Sequence, residues 1–198
     1  TAWMVKNHPD MGFAEIIRLT SFNVISIITT TGFTSADYTA WGYFPMLLMF
    51  FTCVIGGCTG STTGGIKILR IQILFEIVKY QINRLIQPHG VFKLQYNHKV
   101  VSDNTETAIM CFFIVFCSTF MLVAILLAAT GLDFITSISA TASSLANVGP
   151  ALGDMIGPSG SYEAINPAAK SILIMAMILG RLEIFTLLIL FSSAFWKD

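Results

Sequence analysis

Apolar and polar residues fall in blocks of unequal length along this chain, and the length of each apolar block decides what it can cross. A bilayer core of about 30 Å needs about 20 consecutive apolar residues in a helix. Residues 107–129 carry no charge and are rich in Ile, Leu, Val and Phe, so they predict a spanning helix. A second spanner is predicted over residues 167–196, interrupted by Arg181 and Glu183. Pro167 sits near its start, where a missing N–H costs little, and Asn166 is placed to cap it.

Other apolar blocks are too short. Residues 43–55 stop at Gly56, Gly57, Cys58, Thr59, Gly60, Ser61, Thr62, Thr63, Gly64 and Gly65, after which residues 66–80 resume a helical pattern with basic residues. Neither half spans alone, so the pattern predicts one spanning helix broken in mid-membrane. Non-helical backbone at that depth is tolerated only inside protein or beside a water-filled cavity. Residues 13–30 carry Glu15, Arg18 and Asn23, and residues 133–146 are short and built from Ser, Thr, Ala and Ile. Each has an acid near its start, which suits the positive end of a helix dipole. Both predict half-helices that enter the membrane and turn back.

The resulting order is half-helix, broken spanner, basic loop, spanner, half-helix, spanner. It contains a repeat. Thr29, Thr30, Thr31, Gly32 and Phe33 follow the first half-helix; Ala146, Asn147, Val148, Gly149 and Pro150 follow the second. Each run leads through a polar stretch to a proline, Pro45 or Pro167, that opens a spanner. The unit is spanner, half-helix, spanner, and the first copy lacks its opening helix.

Composition agrees. Of 198 residues 55% are hydrophobic and 11% charged, with a mean hydropathy of +0.75. Soluble domains carry about 25% charged residues, so this chain lacks the charge to cover a water-facing surface. The net charge of zero gives no electrostatic reason to expect a nucleic-acid partner. Lys67, Arg70, Lys79, Arg84, Lys93 and Lys99 crowd between Ile66 and Ser102 with Glu76 as the one acid among them. By the positive-inside rule the loop over residues 87–99 is then cytoplasmic. Both half-helices open to the other side, where Asp37, Asp154 and Glu163 lie. Cys53, Cys58, Cys111 and Cys117 show no zinc-like pairing with His and are expected to be buried, inert thiols. The chain opens on Thr1 with no Met or signal peptide and is expected to be a piece of something longer.

Two half-helices imply a specific chemistry. The last carbonyls of a helix lack partners, and its dipole places about half a negative charge there. Several such ends aimed at one axis favour a cation in mid-membrane. Glycine lets the following backbone turn and lets an ion approach, and rings of carbonyls replace water around potassium in ion filters. The functional reading of Gly32 and Gly149 is filter glycine, with Thr30, Thr31, Phe33, Asn147, Val148 and Pro150 as neighbours and potassium held at Thr31, Gly32, Val148 and Gly149. Ordinary turns would also use such residues, but two matching runs, each between a half-helix and a proline-started spanner, favour a filter.

The glycine-rich stretch from Gly60 to Lys67 resembles a phosphate loop only superficially. Ile66 intervenes before the lysine, Ile68 follows it and no strand precedes it. Close helix packing through glycines is one reading; a mobile intramembrane loop beside the pore, made of Gly56, Gly57, Thr59, Gly60, Ser61, Thr62, Thr63, Gly64 and Gly65, is favoured. Arg181 in mid-membrane costs about 2.5–3.5 kcal/mol on insertion scales and must face protein or water. Glu183, two residues on, does not share its helix face, so carbonyls and hydroxyls of the loop are its expected partners. Arg181 then either ties two helices together or holds the loop in the pore and repels cations.

The stretches TTTGFTSADY, VIGGCTGSTTGGIKILR, SSLANVGPALGD and MILGRLEIFTLL together resemble the Trk/Ktr/HKT superfamily of potassium transporters, and within it the TrkH/TrkG type of membrane subunit. The resemblance implies an all-α integral membrane fold of four spanner–half-helix–spanner repeats around a central pore. Residues 1–102 correspond to the third repeat and residues 103–198 to the fourth, with two filter segments absent. It implies the filter role of Gly32 and Gly149, a gating role for the loop and a loop-facing role for Arg181. It further implies a homodimer in the bacterial cytoplasmic membrane, a TrkA-like cytosolic nucleotide-binding regulatory subunit, and potassium as transported ligand with no cofactor. A sodium-permeable relative and an assembly subunit without its own pathway are the alternatives. An intramembrane enzyme is disfavoured, because His8, His89 and His98 all lie outside the expected spans.

Overall fold

The computed structural model describes residues 1–7, 11–58, 60–88, 90, 92–97, 99–153, 155–182 and 196. His8, His89, His98, Thr59, Asp154 and Glu183 lie outside the described residues, as does most of the predicted last spanner beyond Leu182.

Element order follows the hydropathy blocks. A short helix α1 (Ala2–Asn7) precedes α2 (Phe13–Ile28), α3 (Tyr43–Val54), α4 (Ile68–Ile86), α5 (Asp103–Ala129), α6 (Phe134–Ala146) and α7 (Pro167–Arg181). At 1.5 Å per residue the 16 residues of α2 reach about 24 Å and the 13 of α6 about 20 Å, both short of a bilayer core. Helix α5, with 27 residues, reaches about 40 Å. Within it residues 104–129 are, among the described residues, the one stretch long and apolar enough to cross a membrane.

Local chemistry sets the helix ends. Ser102 caps α5 by accepting from the Thr105 amide, Asp133 caps α6 through the Thr136 amide, and Asn166 caps α7 through the Ala168 amide ahead of Pro167. These side chains satisfy amides that a helix start leaves unpaired.

Between α3 and α4 the chain loops out and returns to run on in the same direction. β1 (Ile55–Gly56) pairs in parallel with β2 (Ile66–Lys67), so residues 57–65 form a loop closed at its base. Downstream, the helix expected over residues 66–80 starts at Ile68 and runs on to Ile86. The basic loop contains a two-residue hairpin, β3 (Gln95–Tyr96) against β4 (Lys99–Val100). Tyr96 donates to the Gln72 side chain at 2.6 Å, and Leu94 packs with Ile73, Ile77 and Ile109.

Helix α6 lies between two cores. On one side Phe112, Phe116, Val123 and Leu127 of α5 and Ala169, Leu173 and Ala176 of α7 pack with its Ala140 and Leu145. On the other, Ile27, Met49 and Cys53 pack with its Ala142 and Ala146. The helix can be buried despite its Ser and Thr residues because hydroxyls bond within the fold: Thr141 donates to the Ser137 carbonyl at 2.7 Å and Ser139 to the Leu152 carbonyl at 2.8 Å. The expectation of four buried thiols is corrected. Cys53 is buried, whereas Cys58, Cys111 and Cys117 are exposed. Cys111 and Cys117 fall on stretches of α5 that no other described helix covers, and Cys58 sits in the loop.

Candidate functional site

The two half-helices end alike. Thr30 and Asn147 adopt left-handed backbone with φ of 53° and 55°, and each is followed two residues later by a glycine with positive φ, 77° at Gly32 and 111° at Gly149. Asparagine tolerates this region; a β-branched threonine there carries strain of the kind that collects at functional sites. The hydrogen bonds repeat as well. Thr30 donates to the Ile27 carbonyl at 3.0 Å and Asn147 to Ser144 at 3.1 Å; Thr31 donates to Ser26 at 2.9 Å and Val148 to Ser143 at 3.0 Å. Each pair gives the chain the same sharp exit from its helix.

The outgoing segments are pinned by side chains that differ between the copies. In the first, the Asn23 carboxamide accepts from the Ser35 amide at 3.2 Å and donates to its hydroxyl at 3.0 Å. In the second, the Ser139 hydroxyl accepts from the Leu152 amide at 3.0 Å. Ser143 accepts from the Gly149 amide at 3.0 Å, and the Tyr162 hydroxyl donates to the Gly149 carbonyl at 2.7 Å. Tyr162 stands on a 3-10 turn, Tyr162–Ala164. Burial pushes its phenol up to about 12, so it remains a proton donor at neutral pH. Sequence reasoning missed Asn23, Ser139, Ser143 and Tyr162 as supports. The row of hydroxyls on α6 was the available signal, but nothing local paired it with residues 149 and 152.

The two turns meet. A Cβ added at Gly32 would collide with the Val148 carbonyl oxygen and lie 3.2 Å from Pro150 Cδ. Thr31, Phe33 and Gly149 are exposed, Thr30, Gly32, Asn147 and Pro150 half-buried, and Val148 buried. Beyond the turns, the Thr34 hydroxyl donates to the Pro158 carbonyl at 3.0 Å and links the two return segments. The Thr136 hydroxyl and the first-turn amides hold the Asp133 carboxyl below the ordinary carboxylate range.

The glycine-rich loop lies directly beneath. A Cβ at Gly64 would strike the carbonyl oxygen of Ala146, the last residue of α6, and one at Gly56 would strike the Gly64 carbonyl. Inside the loop Thr63 Oγ1 accepts from the Gly57 amide at 3.1 Å, and Ser61 accepts from the Thr63 amide at 3.3 Å. Gly60 is exposed at the tip. The Arg181 guanidinium donates to the Thr62 carbonyl, so the end of α7 reaches the loop. A cavity of about 200 Å³ opens here, lined by Ser61, Thr62, Lys67, Arg70, Phe116 and Arg181 among others. The Arg70 guanidinium carbon lies 3.9 Å above the Phe112 ring centre. Helix α7 touches the turn too: Asn147 donates from its carboxamide to the Met177 carbonyl at 3.0 Å, and Gly180 passes so close to Leu145 that a Cβ would strike its carbonyl. Two turns of backbone, a loop below them and a guanidinium on the loop therefore form one contiguous site.

Residues 11–198 match the family model described as TrkH, cation transport protein. The chain is 40% identical over 198 residues to the Trk system potassium uptake protein TrkI of Halomonas elongata, covering 100% of this chain and 40% of that protein. It is 36% identical over 177 residues to TrkH of Escherichia coli strain K12, covering 89% of this chain and 36% of that protein. The crystal structure of the potassium transporter TrkH from Vibrio parahaemolyticus matches with a TM-score of 0.90 at 35% identity, over 99% of this chain and 41% of that one. The chain thus spans about 40% of the length of the relatives it matches.

Proposed function

This chain belongs to the TrkH family of cation transport proteins, and on that premise we propose that it supplies half of a potassium filter, together with the gate beneath it, in a potassium-uptake protein of the bacterial cytoplasmic membrane. The observation that carries this reading is the meeting of two like turns, Gly32 against the Val148 carbonyl, at the C-terminal ends of two helices too short to span. Both helix ends bring partial negative charge and free carbonyl capacity to one place. Thr31, Gly32, Val148 and Gly149 are the proposed potassium contacts, with Thr30, Phe33, Asn147 and Pro150 shaping the turns. Residues 1–102 act as a third repeat and residues 103–198 as a fourth.

The loop of Gly56, Gly57, Thr59, Gly60, Ser61, Thr62, Thr63, Gly64 and Gly65 is the proposed gate, and Arg181 the residue that holds it shut. Its hydrogen bond to Thr62 supports this, as does the cationic lining of the cavity below the filter, which opposes cation passage while the loop is in place. Family membership supports a homodimer and a TrkA-like nucleotide-binding regulator on the cytosolic side, where α4 ends and the β3–β4 hairpin lies.

Expression of the complete gene product in bacteria that lack potassium uptake tests the reading. Growth at low potassium is expected, and Gly149→Ser is expected to abolish it or to admit sodium. Good membrane expression without growth would instead indicate an assembly subunit, and an unaffected Gly149→Ser protein would remove the filter assignment.

A further inference from the structure

Gly149 differs from its counterpart in what orients it. Gly32 is wedged against the Val148 carbonyl and Pro150, so packing fixes its peptide. At Gly149, chain neighbours aside, no heavy atom of the described residues lies within 4 Å of an added Cβ, and its φ of 111° is one that side-chain-bearing residues rarely adopt. Its orientation is set by hydrogen bonds at both ends. Ser143 Oγ accepts from its amide at 3.0 Å, and the Tyr162 hydroxyl donates to its carbonyl oxygen at 2.7 Å. Tyr162 lies on the return from Gly149 to Pro167, which is longer than that from Gly32 to Pro45.

We infer that Tyr162 is a positioning residue that sets discrimination among monovalent cations, by fixing the Gly149 carbonyl at the distance a potassium ion requires. The inference rests on the filter reading above. A carbonyl free to swing follows a smaller ion inward and coordinates sodium as well as potassium; a carbonyl whose oxygen is also tied to a phenol does not. The number and freedom of coordinating carbonyls is one of the levers of potassium selectivity. A phenol suits the task. Its ring is half-buried against the core around α6, and its hydroxyl stays protonated across the physiological range.

The test is the potassium-over-sodium permeability ratio of the complete gene product in proteoliposomes, for the unaltered protein and for Tyr162→Phe, Ser143→Ala and Gly149→Ser. Tyr162→Phe keeps the ring and removes only the donor. The ratio is expected to fall about fivefold, the effect of losing one hydrogen bond of ordinary strength. Ser143→Ala, which frees the other end of the same glycine, is expected to lower it in the same direction and decides the matter if the phenylalanine protein does not fold. A merely structural tyrosine would lower yield or thermal stability and leave the ratio where it was. An unchanged ratio in folded Tyr162→Phe, alongside an altered one in Gly149→Ser, overturns the role of Tyr162 and keeps the filter. An unchanged ratio in all three overturns both.

Discussion

Removing the Arg181 guanidinium should open the proposed gate. In Arg181→Ala the donor to the Thr62 carbonyl is lost, along with one of the positive charges that line the cavity beneath the proposed filter. A hydrogen bond from a charged group contributes about 1.5–3 kcal/mol. The Arg181 side chain is exposed in this chain, so the lower end applies, and about 1.5 kcal/mol converts to about a tenfold shift of the loop from closed to open. Loss of the charge acts in the same direction by lowering the barrier to cations. The assay is rubidium or potassium influx into proteoliposomes containing the complete gene product, normalised to folded protein by size-exclusion profile. Influx is expected to rise about tenfold from a mostly closed starting state. Arg181→Lys separates the two contributions, because lysine keeps the charge but not the planar fork. A rise in Lys close to that in Ala assigns the effect to the hydrogen bond; influx near that of the unaltered protein assigns it to charge. Unchanged influx in a folded Arg181→Ala protein would refute the gating argument, since neither the bond nor the charge would then restrain the loop.

Gly64→Ala places a methyl group on the Ala146 carbonyl, so the loop must move off the end of α6; overpacking of this kind costs about 1–3 kcal/mol, and higher leak in flux assays is expected, with no change in leak counting against contact between loop and half-helix. Gly32→Ala meets the Val148 carbonyl and a φ of 77° together, so potassium uptake should be lost at normal membrane abundance, and retained uptake would contradict the close approach of the two turns. Asp133 is held below the ordinary carboxylate range, so its contribution is present above the unfolded value and is lost as pH falls through the folded one. Asp133→Ala should therefore lower thermal stability at neutral pH by about 1 kcal/mol, the worth of an N-cap, and the difference between the two proteins should shrink in acid; a gap that persists at low pH would show that the carboxylate is not the source.

Block lengths, helix starts and the order of elements were legible because each is local. Residues 133–146 lack the length to span whatever surrounds them, and Asn166 ahead of Pro167, or Asp133 ahead of Thr136, caps a helix through neighbours a few positions away. Glycines 32 and 149 could be singled out because a chain leaving a half-helix needs a sharp turn, which is again a demand of nearby backbone. The buried-thiol expectation failed at Cys58, Cys111 and Cys117, because hydropathy reports that a residue avoids water, not whether protein covers it. Pairing across distance was decided by the tertiary structure alone. Asn23 and Ser139 pin equivalent outgoing segments with different side chains, so no shared motif marked them. Tyr162 reaches Gly149 from a turn thirteen positions away, and Gly64 meets Ala146 across two helices. A hydrogen bond between remote residues depends on where whole helices are packed, and that packing is set by the joint burial of α6 between its two cores rather than by any segment read alone.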